Sequence, residues 1–309
     1  MKIVAWYLRG LDFESAPSSL SLLSIQAQRL EIHRSSLVAA GKWEHLLKGD
    51  TAELPKGWTH LEQLARTRRG IATGANAFFL ISSKSAQDAG IREEMLLPCV
   101  GRASDVEHLV FSNKDFQCLD EKQGKTRLIN FHGELTSKER EYVKMGERSG
   151  LTNRYLLANR SPWYSMEQRE IAPIWATVFG RGDLKFVYNE AGSRSLTNFH
   201  CIYPIIENPI FSRAITFCLN SPSIRRHSKL HMRAYGGGLS KFEPNDLKSI
   251  PLPDLRNVSS TTLGRLSEGL LKADSCARSG KNYYETIEAE KLIESASIEA
   301  HNAGQTELI

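Results

Sequence analysis

At residues 234–247 the chain reads Ala-Tyr-Gly-Gly-Gly-Leu-Ser-Lys-Phe-Glu-Pro-Asn-Asp-Leu. Glycine loses more backbone entropy on ordering than any other residue, so three in succession form neither a helix nor a strand unaided. A backbone without side chains can, however, approach a ligand closely. Tyr235 and Lys241 flank the glycines, and an aromatic ring, a bare backbone and a cation together suit contact with a sugar–phosphate chain. The simpler interpretation is a flexible surface loop between two elements.

Basic residues are concentrated in particular segments of this 309-residue chain. The formal net charge is +5, which gives a mild preference for polyanionic partners. Three arginines lie close together at Arg66, Arg68 and Arg69. A second basic group comprises Arg225, Arg226, Lys229 and Arg233. Arginine is the side chain best suited to paired hydrogen bonds with phosphate groups and with the edge of guanine.

Several classes of protein are not indicated. The five cysteines include no Cys-x-x-Cys pair, so neither a zinc ribbon nor a disulfide framework is expected. His227 and His231 stand four residues apart without a third ligand nearby, so we expect no metal site. No run of about 18 apolar residues is present, so we expect no membrane span and a cytoplasmic protein.

The order of the elements predicts a mixed α+β protein. Residues 2–8 are rich in β-branched and aromatic side chains, which predicts a strand. A helical stretch is expected over 25–48, before a turn-rich boundary at 53–57. Short strands are expected from there to about residue 206, at 78–81, 108–111, 127–131, 174–179, 184–188 and 199–203.

Capping signals predict the helices. Thr136 and Glu139 have the spacing of a capping box, which predicts a helix over 136–149. Asn208 followed by Pro209 favours the start of another helix. Two further helices, broken near Ser279-Gly280, are expected over about 259–300. The fold class is therefore α+β, a mixed β-sheet with a helical C-terminal portion.

Three segments acquire meaning when they are taken together. The first is Arg68-Arg69-Gly70-Ile71-Ala72-Thr73-Gly74-Ala75-Asn76, a basic turn with two glycines. The second is Asn159-Arg160-Ser161-Pro162-Trp163-Tyr164, and the third runs from Tyr235 to Pro253. In this order and spacing they resemble the C-terminal, target-recognition half of the adenine-N6 DNA methyltransferases of bacterial restriction–modification systems. The resemblance covers roughly residues 58–255.

The resemblance implies a domain that grips double-stranded DNA while a partner domain flips the adenine out and methylates it. It divides the chain into a remnant of the preceding catalytic domain plus linker at 1–57, a DNA target-recognition domain at 58–255 and a C-terminal helical segment at 256–309. The residues it implies for DNA binding are Arg68, Arg69, Thr73, Asn76, Arg160, Trp163, Tyr164, Tyr235, Gly236, Gly237 and Lys241. Thr73 and Asn76 have an alternative role in stabilising the turn. Trp163 and Tyr164 have an alternative role as core residues.

The catalytic motifs of that family are missing from the sequence. No glycine-rich turn after a strand suits S-adenosylmethionine, and the nearest pattern, at residues 179–183, indicates a hairpin turn. The nearest match to the Asn/Asp-Pro-Pro-Tyr/Phe loop is Asn208-Pro209-Ile210-Phe211, which serves equally well as a helix start. We therefore expect neither a catalytic residue nor a cofactor in this chain, and S-adenosylmethionine is expected only with a separate catalytic domain.

Three functions remain open at this point. The first is the DNA-binding portion of an adenine-specific methyltransferase, either one half of a split enzyme with a separately encoded catalytic half or the product of a truncated gene. The second is a complete DNA methyltransferase whose cofactor site uses unfamiliar residues. The third is an inactive structural remnant that dimerises through its C-terminal helices.

Overall fold

The computed structural model describes residues 2–8, 27–33, 54–180, 184–229, 233–235, 239–241 and 243–306. The chain divides into two compact units, Met1–Pro55 and Lys56–Ile309. In the described ranges, no helix is both long and apolar enough to cross a lipid bilayer. The domain boundaries expected from the sequence stay predictions.

The first unit contains a two-stranded antiparallel ladder. Strand β1 (Lys2–Leu8) pairs with β2 (Ala27–His33), so the strand expected at residues 2–8 is confirmed. The helix expected over 25–48 is wrong at residues 27–33. Polar and apolar residues alternate from Arg29 to His33, which is the period of a strand.

The second unit mixes short strands with helices and is α+β, as expected. Its strands are β3 (Trp58–His60), β4 (Ala65–Arg69), β5 (Leu80–Ile81), β6 (Leu96–Val100), β7 (Val110–Phe111), β8 (Arg127–Ile129), β9 (Ile174–Thr177), β10 (Phe179–Gly180), β11 (Phe186–Asn189), β12 (Arg194–Ser195), β13 (Phe199–Pro204), β14 (Arg233–Tyr235), β15 (Leu239–Lys241) and β16 (Pro251–Pro253). Its helices are α1 (Asn76–Phe79), α2 (Ser83–Asp88), α3 (Asn113–Glu121), α4 (Ser137–Arg148), α5 (Tyr155–Ala158), α6 (Pro209–Leu219), α7 (Pro222–Lys229), α8 (Pro244–Lys248), α9 (Ser260–Arg278) and α10 (Ile287–Thr306).

A five-stranded sheet in the order β4-β13-β9-β11-β7 forms the centre of this unit. Its ladders are antiparallel except for the parallel pairing of β11 with β7. The three inner strands β13, β9 and β11 are buried at every position, so both faces of the sheet are covered. One face carries Trp175 and Cys201, and the opposite face carries Ile174 and Ile202.

The helical portion packs on the second of these faces. Helix α6 has one apolar face, whose residues Phe211, Ala214, Ile215, Cys218 and Leu219 are all buried in the same core as Ile174. Helices α9 and α10 complete this core, and they are the two helices expected around the break at Ser279-Gly280. The core therefore joins the sheet to the C-terminal helices.

A second core lies beside the four-stranded sheet β12-β6-β8-β5. The strand expected at residues 78–81 is wrong in its first half, where the chain forms the short helix α1 before β5. Both Phe78 and Phe79 are buried in this core. A strand would direct two successive side chains to opposite faces, whereas a helical turn lets both rings enter one core.

A capping box stabilises the start of helix α4. The Thr136 hydroxyl accepts a hydrogen bond from the Glu139 amide, and the Glu139 carboxylate accepts one from the Thr136 amide, which confirms the predicted capping box of α4. Glu139 also accepts two hydrogen bonds from the Arg92 guanidinium. Burial alone would raise the pKa of Glu139, but these hydrogen bonds outweigh it and lower the pKa from 4.5 to about 2.

A buried carboxylate fastens α9 to the edge of the central sheet. One oxygen of Asp274 accepts hydrogen bonds from the backbone amides of Leu109 and Val110, each at 2.8 Å. Its other oxygen accepts a hydrogen bond of 2.7 Å from Nε of Arg278. Arg278 in turn donates to Asp115 in α3 and to the carbonyl of Val110. This network ties three elements together through charge-assisted hydrogen bonds.

Candidate nucleic-acid interface

Two exposed arginines stand on the edge strand of the central sheet. Strand β4 is the terminal strand of that sheet, and Arg68 lies opposite Cys201 while Arg69 lies opposite His200. The two side chains therefore extend from opposite faces of the same edge. Arg66, two residues earlier, is already engaged by Glu170 at 3.4 Å and lies over the ring of Tyr203.

Arg68 and Arg69 differ from Arg66 in having no ion pair with any carboxylate in the described part of the chain. Both are exposed to solvent. An unpaired guanidinium at a surface keeps its donors available for an external anion. This edge therefore presents two cations that no carboxylate among the described residues neutralises.

The turn that follows β4 is built on a very close backbone contact. A Cβ atom added at Gly70 would lie 2.2 Å from the carbonyl oxygen of Leu196, so only glycine fits there without a shift. Further along, Gly74 adopts a φ of +78°, a conformation that L side chains rarely adopt. The buried Thr73 hydroxyl bonds to Oδ1 of Asn76 and accepts the amide of Ala75. Thr73 and Asn76 thus stabilise the turn, whichever ligand it meets.

Two arginines that flank α5 hold this turn by its carbonyl groups. The Arg160 guanidinium donates to the carbonyl of Ala72 at 2.6 Å and to that of Thr73 at 3.2 Å. Arg154 donates to the carbonyl of Gly74 at 3.1 Å. Burial lowers the pKa of Arg160 from 12.5, although the neighbouring Glu167 carboxylate opposes that effect. Arg160 therefore anchors the turn, and its role in DNA binding stays a prediction.

Several backbone amides of the turn have no hydrogen-bond acceptor among the described residues. Within the described residues, the backbone N–H groups of Gly74, Asn76 and Ala77 donate to no protein acceptor. All three residues are exposed. Amide groups at an exposed turn offer hydrogen bonds to an anion such as a phosphate. The turn therefore adds donors next to the two free arginines.

The aromatic pair of the second segment packs against the core. The Trp163 ring lies 5.5 Å from the Phe78 ring, centroid to centroid, and its Nε1 donates to Glu147. Tyr164 meets Phe131 edge to face at 6.0 Å. Both residues are partly buried, so this placement favours their alternative role in the core.

The third segment is described only in part. Tyr235 ends β14 and Lys241 ends β15, and these strands pair antiparallel, whereas Gly236 and Gly237 lie outside the described residues. The chain then enters α8, where the carbonyl of Pro244 accepts a hydrogen bond of 3.0 Å from Thr67 in β4. The segment after the glycines is therefore fastened to the strand that carries the free arginines.

Comparison with known proteins shows which family this chain belongs to. Residues 49–290 match the family model of the C-terminal domain of Type II methyltransferase M.Eco57I. The chain belongs to this family. It is the C-terminal half of a restriction–modification methyltransferase, so the resemblance seen in the sequence is confirmed.

Two curated relatives of this methyltransferase domain agree with that assignment. The Type II methyltransferase M.AccI of Acinetobacter calcoaceticus is 34% identical over 216 residues, which cover 69% of this chain and 40% of the relative. M.XamI of Xanthomonas campestris pv. amaranthicola is 28% identical over 234 residues, which cover 74% and 42%. The chain spans about two fifths of the length of these relatives. The crystal structure of the type IIG restriction endonuclease BpuSI is similar over 90% of this chain and 36% of that one, with 12% identity and a TM-score of 0.48.

The Asn-Pro dipeptide at residues 208–209 begins helix α6. The Asn208 side chain accepts a hydrogen bond of 2.7 Å from the amide of Ile210, and Pro209 is the first residue of α6. The Asn208 side chain therefore caps the helix, which agrees with the interpretation of this dipeptide as a helix start. No group of three or more potential metal ligands occurs among the residues that the structure describes.

Arg154 is the contributor that sequence reasoning missed. It is one of many scattered arginines, and its partner Gly74 lies 80 residues earlier in the chain. The exposed and unneutralised state of Arg68 and Arg69 also has no signature in the sequence, because it depends on where the carboxylates of other segments lie. The arginine cluster itself was the available signal.

Proposed function

We propose that this methyltransferase domain is the DNA target-recognition portion of an adenine-N6-specific enzyme. The observation that carries the proposal is the pair of unneutralised arginines, Arg68 and Arg69, on the edge strand that leads into an anchored turn. Phosphate contacts and base contacts need both kinds of group, guanidinium donors and backbone amides, at one surface. The cellular partner is double-stranded DNA, and the site of action is the cytoplasm.

The turn suits this role because its shape is set before DNA arrives. Its carbonyls are held by Arg154 and Arg160, and its entry is set by the tight fit of Gly70. A preorganised surface loses less conformational entropy on binding than a mobile one. Rigid placement of the neighbouring arginines is also what reading a base edge requires, since each paired contact has a fixed geometry.

We assign the methyl-transfer chemistry to a catalytic portion other than this domain. The side chain of Asn208, the nearest match to the catalytic asparagine, caps helix α6. The glycine pattern near residue 180 continues into residues 181–183, which the structure does not describe. We therefore assign the cofactor and the flipped adenine to a catalytic portion outside this chain, which we propose as its functional partner.

Removing both free arginines is expected to weaken DNA binding and its salt dependence. The double variant Arg68→Ala, Arg69→Ala should reduce the slope of log affinity against log salt by about one for each phosphate contact that is lost. The measurement is fluorescence anisotropy with labelled duplexes selected from a random library, between about 50 and 200 mM salt.

A matched control removes the same charge from another surface. Arg102→Ala, Arg148→Ala deletes two exposed arginines that are paired with Asp105 and Glu141, and it should leave the salt slope nearly unchanged. An equal loss in both double variants would mean that overall charge, and not this edge, attracts the DNA. A chain that ignores duplexes at low salt, or that methylates them unaided, would rule out the proposed division of labour.

Arg160→Ala separates anchoring from direct DNA contact. Loss of two carbonyl hydrogen bonds should lower the free energy of unfolding by about 1–2 kcal/mol and speed amide exchange in the turn. DNA affinity should fall while the salt slope stays constant, because the turn loosens but no phosphate contact of Arg160 disappears. A slope reduced by about one would instead show that Arg160 touches a phosphate. Hydrogen exchange and salt titration together distinguish these outcomes.

A further inference from the structure

A groove of this C-terminal domain lies between α10, the start of α7 and β3. Its volume is about 500 Å³. Trp58, Tyr284 and Ile293 form its apolar floor. The indole Nε1 of Trp58 donates to the Ser297 hydroxyl at 3.1 Å, and the Tyr284 hydroxyl donates to a backbone carbonyl. Because these polar ends are satisfied inside the protein, the remaining ring surfaces offer mainly apolar contact.

The rim of the groove is acidic. It carries Glu285, Glu290 and Glu294, and no lysine or arginine whose side chain the structure describes lines it. Glu290 and Glu294 are exposed and form no ion pair with any described residue, whereas Glu288, on the same helix, is paired with Lys272 at 2.7 Å. The rim therefore carries negative charge that no described side chain neutralises.

The carboxylates belong to a regular stripe on α10. Ile287, Glu290, Glu294 and Ile298 follow one another at spacings of three, four and four residues, which places them on one face of the helix. The two isoleucines are 71% and 53% exposed. The stripe extends over about 16 Å, or three helical turns. Two carboxylates are thus framed by two exposed apolar side chains.

We propose that this groove binds a basic amphipathic helix of a protein partner. Its contact face would carry two lysines or arginines one turn apart, opposite Glu290 and Glu294, with an apolar residue beyond each to meet Ile287 and Ile298. Charge complementarity selects this chemistry, since paired opposite charges steer and orient a helix in an apolar groove. The negative rim repels nucleic acid, so this surface is distinct from the arginine edge and independent of the proposed DNA binding.

The test uses the full chain and a defined peptide. The probe is a helical alanine–glutamine peptide with two lysines one turn apart and a leucine one turn beyond each. Calorimetry gives the affinity, and the ¹⁵N-indole resonance of Trp58, assigned with Trp58→Phe, shows where the peptide binds. We expect that resonance to shift, and we expect Glu290→Gln, Glu294→Gln to weaken binding about five- to tenfold.

Matched controls make the result specific. A peptide with glutamates in place of the lysines should not bind. The variant Glu121→Gln, Glu268→Gln removes two exposed carboxylates elsewhere and should change the affinity by less than about twofold. The proposal is overturned if both peptides bind alike, if the control variant weakens binding as much, or if the Trp58 resonance does not move. A dimer of this chain that dissociates in the Glu290→Gln, Glu294→Gln variant would also overturn it, by assigning the groove to a second copy.

Discussion

Asp274→Ala is expected to lower the free energy of unfolding by about 3–5 kcal/mol. The carboxylate accepts the buried amides of Leu109 and Val110, and alanine leaves both donors without an acceptor. It also removes one of the carboxylates that hold Arg278. The loss is large because each unsatisfied buried amide costs about 1–3 kcal/mol. Urea unfolding followed by tryptophan fluorescence measures it, since Trp175 is buried beside the affected strand β7.

Two further variants test this explanation. Asp274→Asn keeps an oxygen for the two amides but loses the charge that faces Arg278, so its cost should be intermediate, about 1–2 kcal/mol. Asp88→Ala, at the exposed end of α2, should change stability by less than about 0.5 kcal/mol. If Asp274→Ala proves as stable as Asp88→Ala, the network does not fasten α9 to the sheet.

Gly70→Ala is expected to cost about 3 kcal/mol of stability and to reduce DNA binding as well. The new Cβ atom would lie 2.2 Å from the Leu196 carbonyl oxygen and 2.8 Å from that of Ser195. Both neighbours are backbone atoms, so the strain is relieved only by moving β12 or the turn, and overpacking of this kind costs about 1–3 kcal/mol or more. Movement of the turn would displace the adjacent Arg69 from the position proposed for its contact with DNA.

The control for that variant is another glycine-to-alanine change. Gly264 lies in α9 with nothing within 4 Å of an added Cβ, so Gly264→Ala should be neutral or stabilise by up to about 1 kcal/mol. Chemical unfolding and duplex binding are measured on both proteins. Equal stability of the two variants would show that the backbone near Gly70 yields easily, and the rigid-turn argument would then fail.

Local signals in the sequence predicted much of the secondary structure. The caps at Thr136 and at Asn208 are formed by neighbours within three residues, so they are readable from the sequence, and the structure confirms both. The strand expected at 199–203 is β13, where every residue is buried. In contrast, the helical turn at Phe78 depends on a core assembled from distant segments, and propensity alone favours a strand for such aromatic residues.

The candidate site was less accessible to sequence reasoning. The arginine cluster was visible, but the pairing of Arg66 with Glu170 joins residues 104 positions apart and leaves only its neighbours free. The bond from Arg160 to Ala72 spans 88 positions. Such contacts follow from the packing of whole elements, so a sequence pattern can suggest arginines for DNA but cannot distinguish an anchor from a contact.

The position of β4 at the border of its sheet has a consequence for solubility. A border strand exposes unpaired backbone groups that can template aggregation with another chain, and charged side chains there oppose such stacking. Arg68 and Arg69, which no described carboxylate pairs, place positive charge along that border in every copy of the protein. Replacing either arginine with an uncharged residue would therefore lower the electrostatic repulsion between neighbouring molecules.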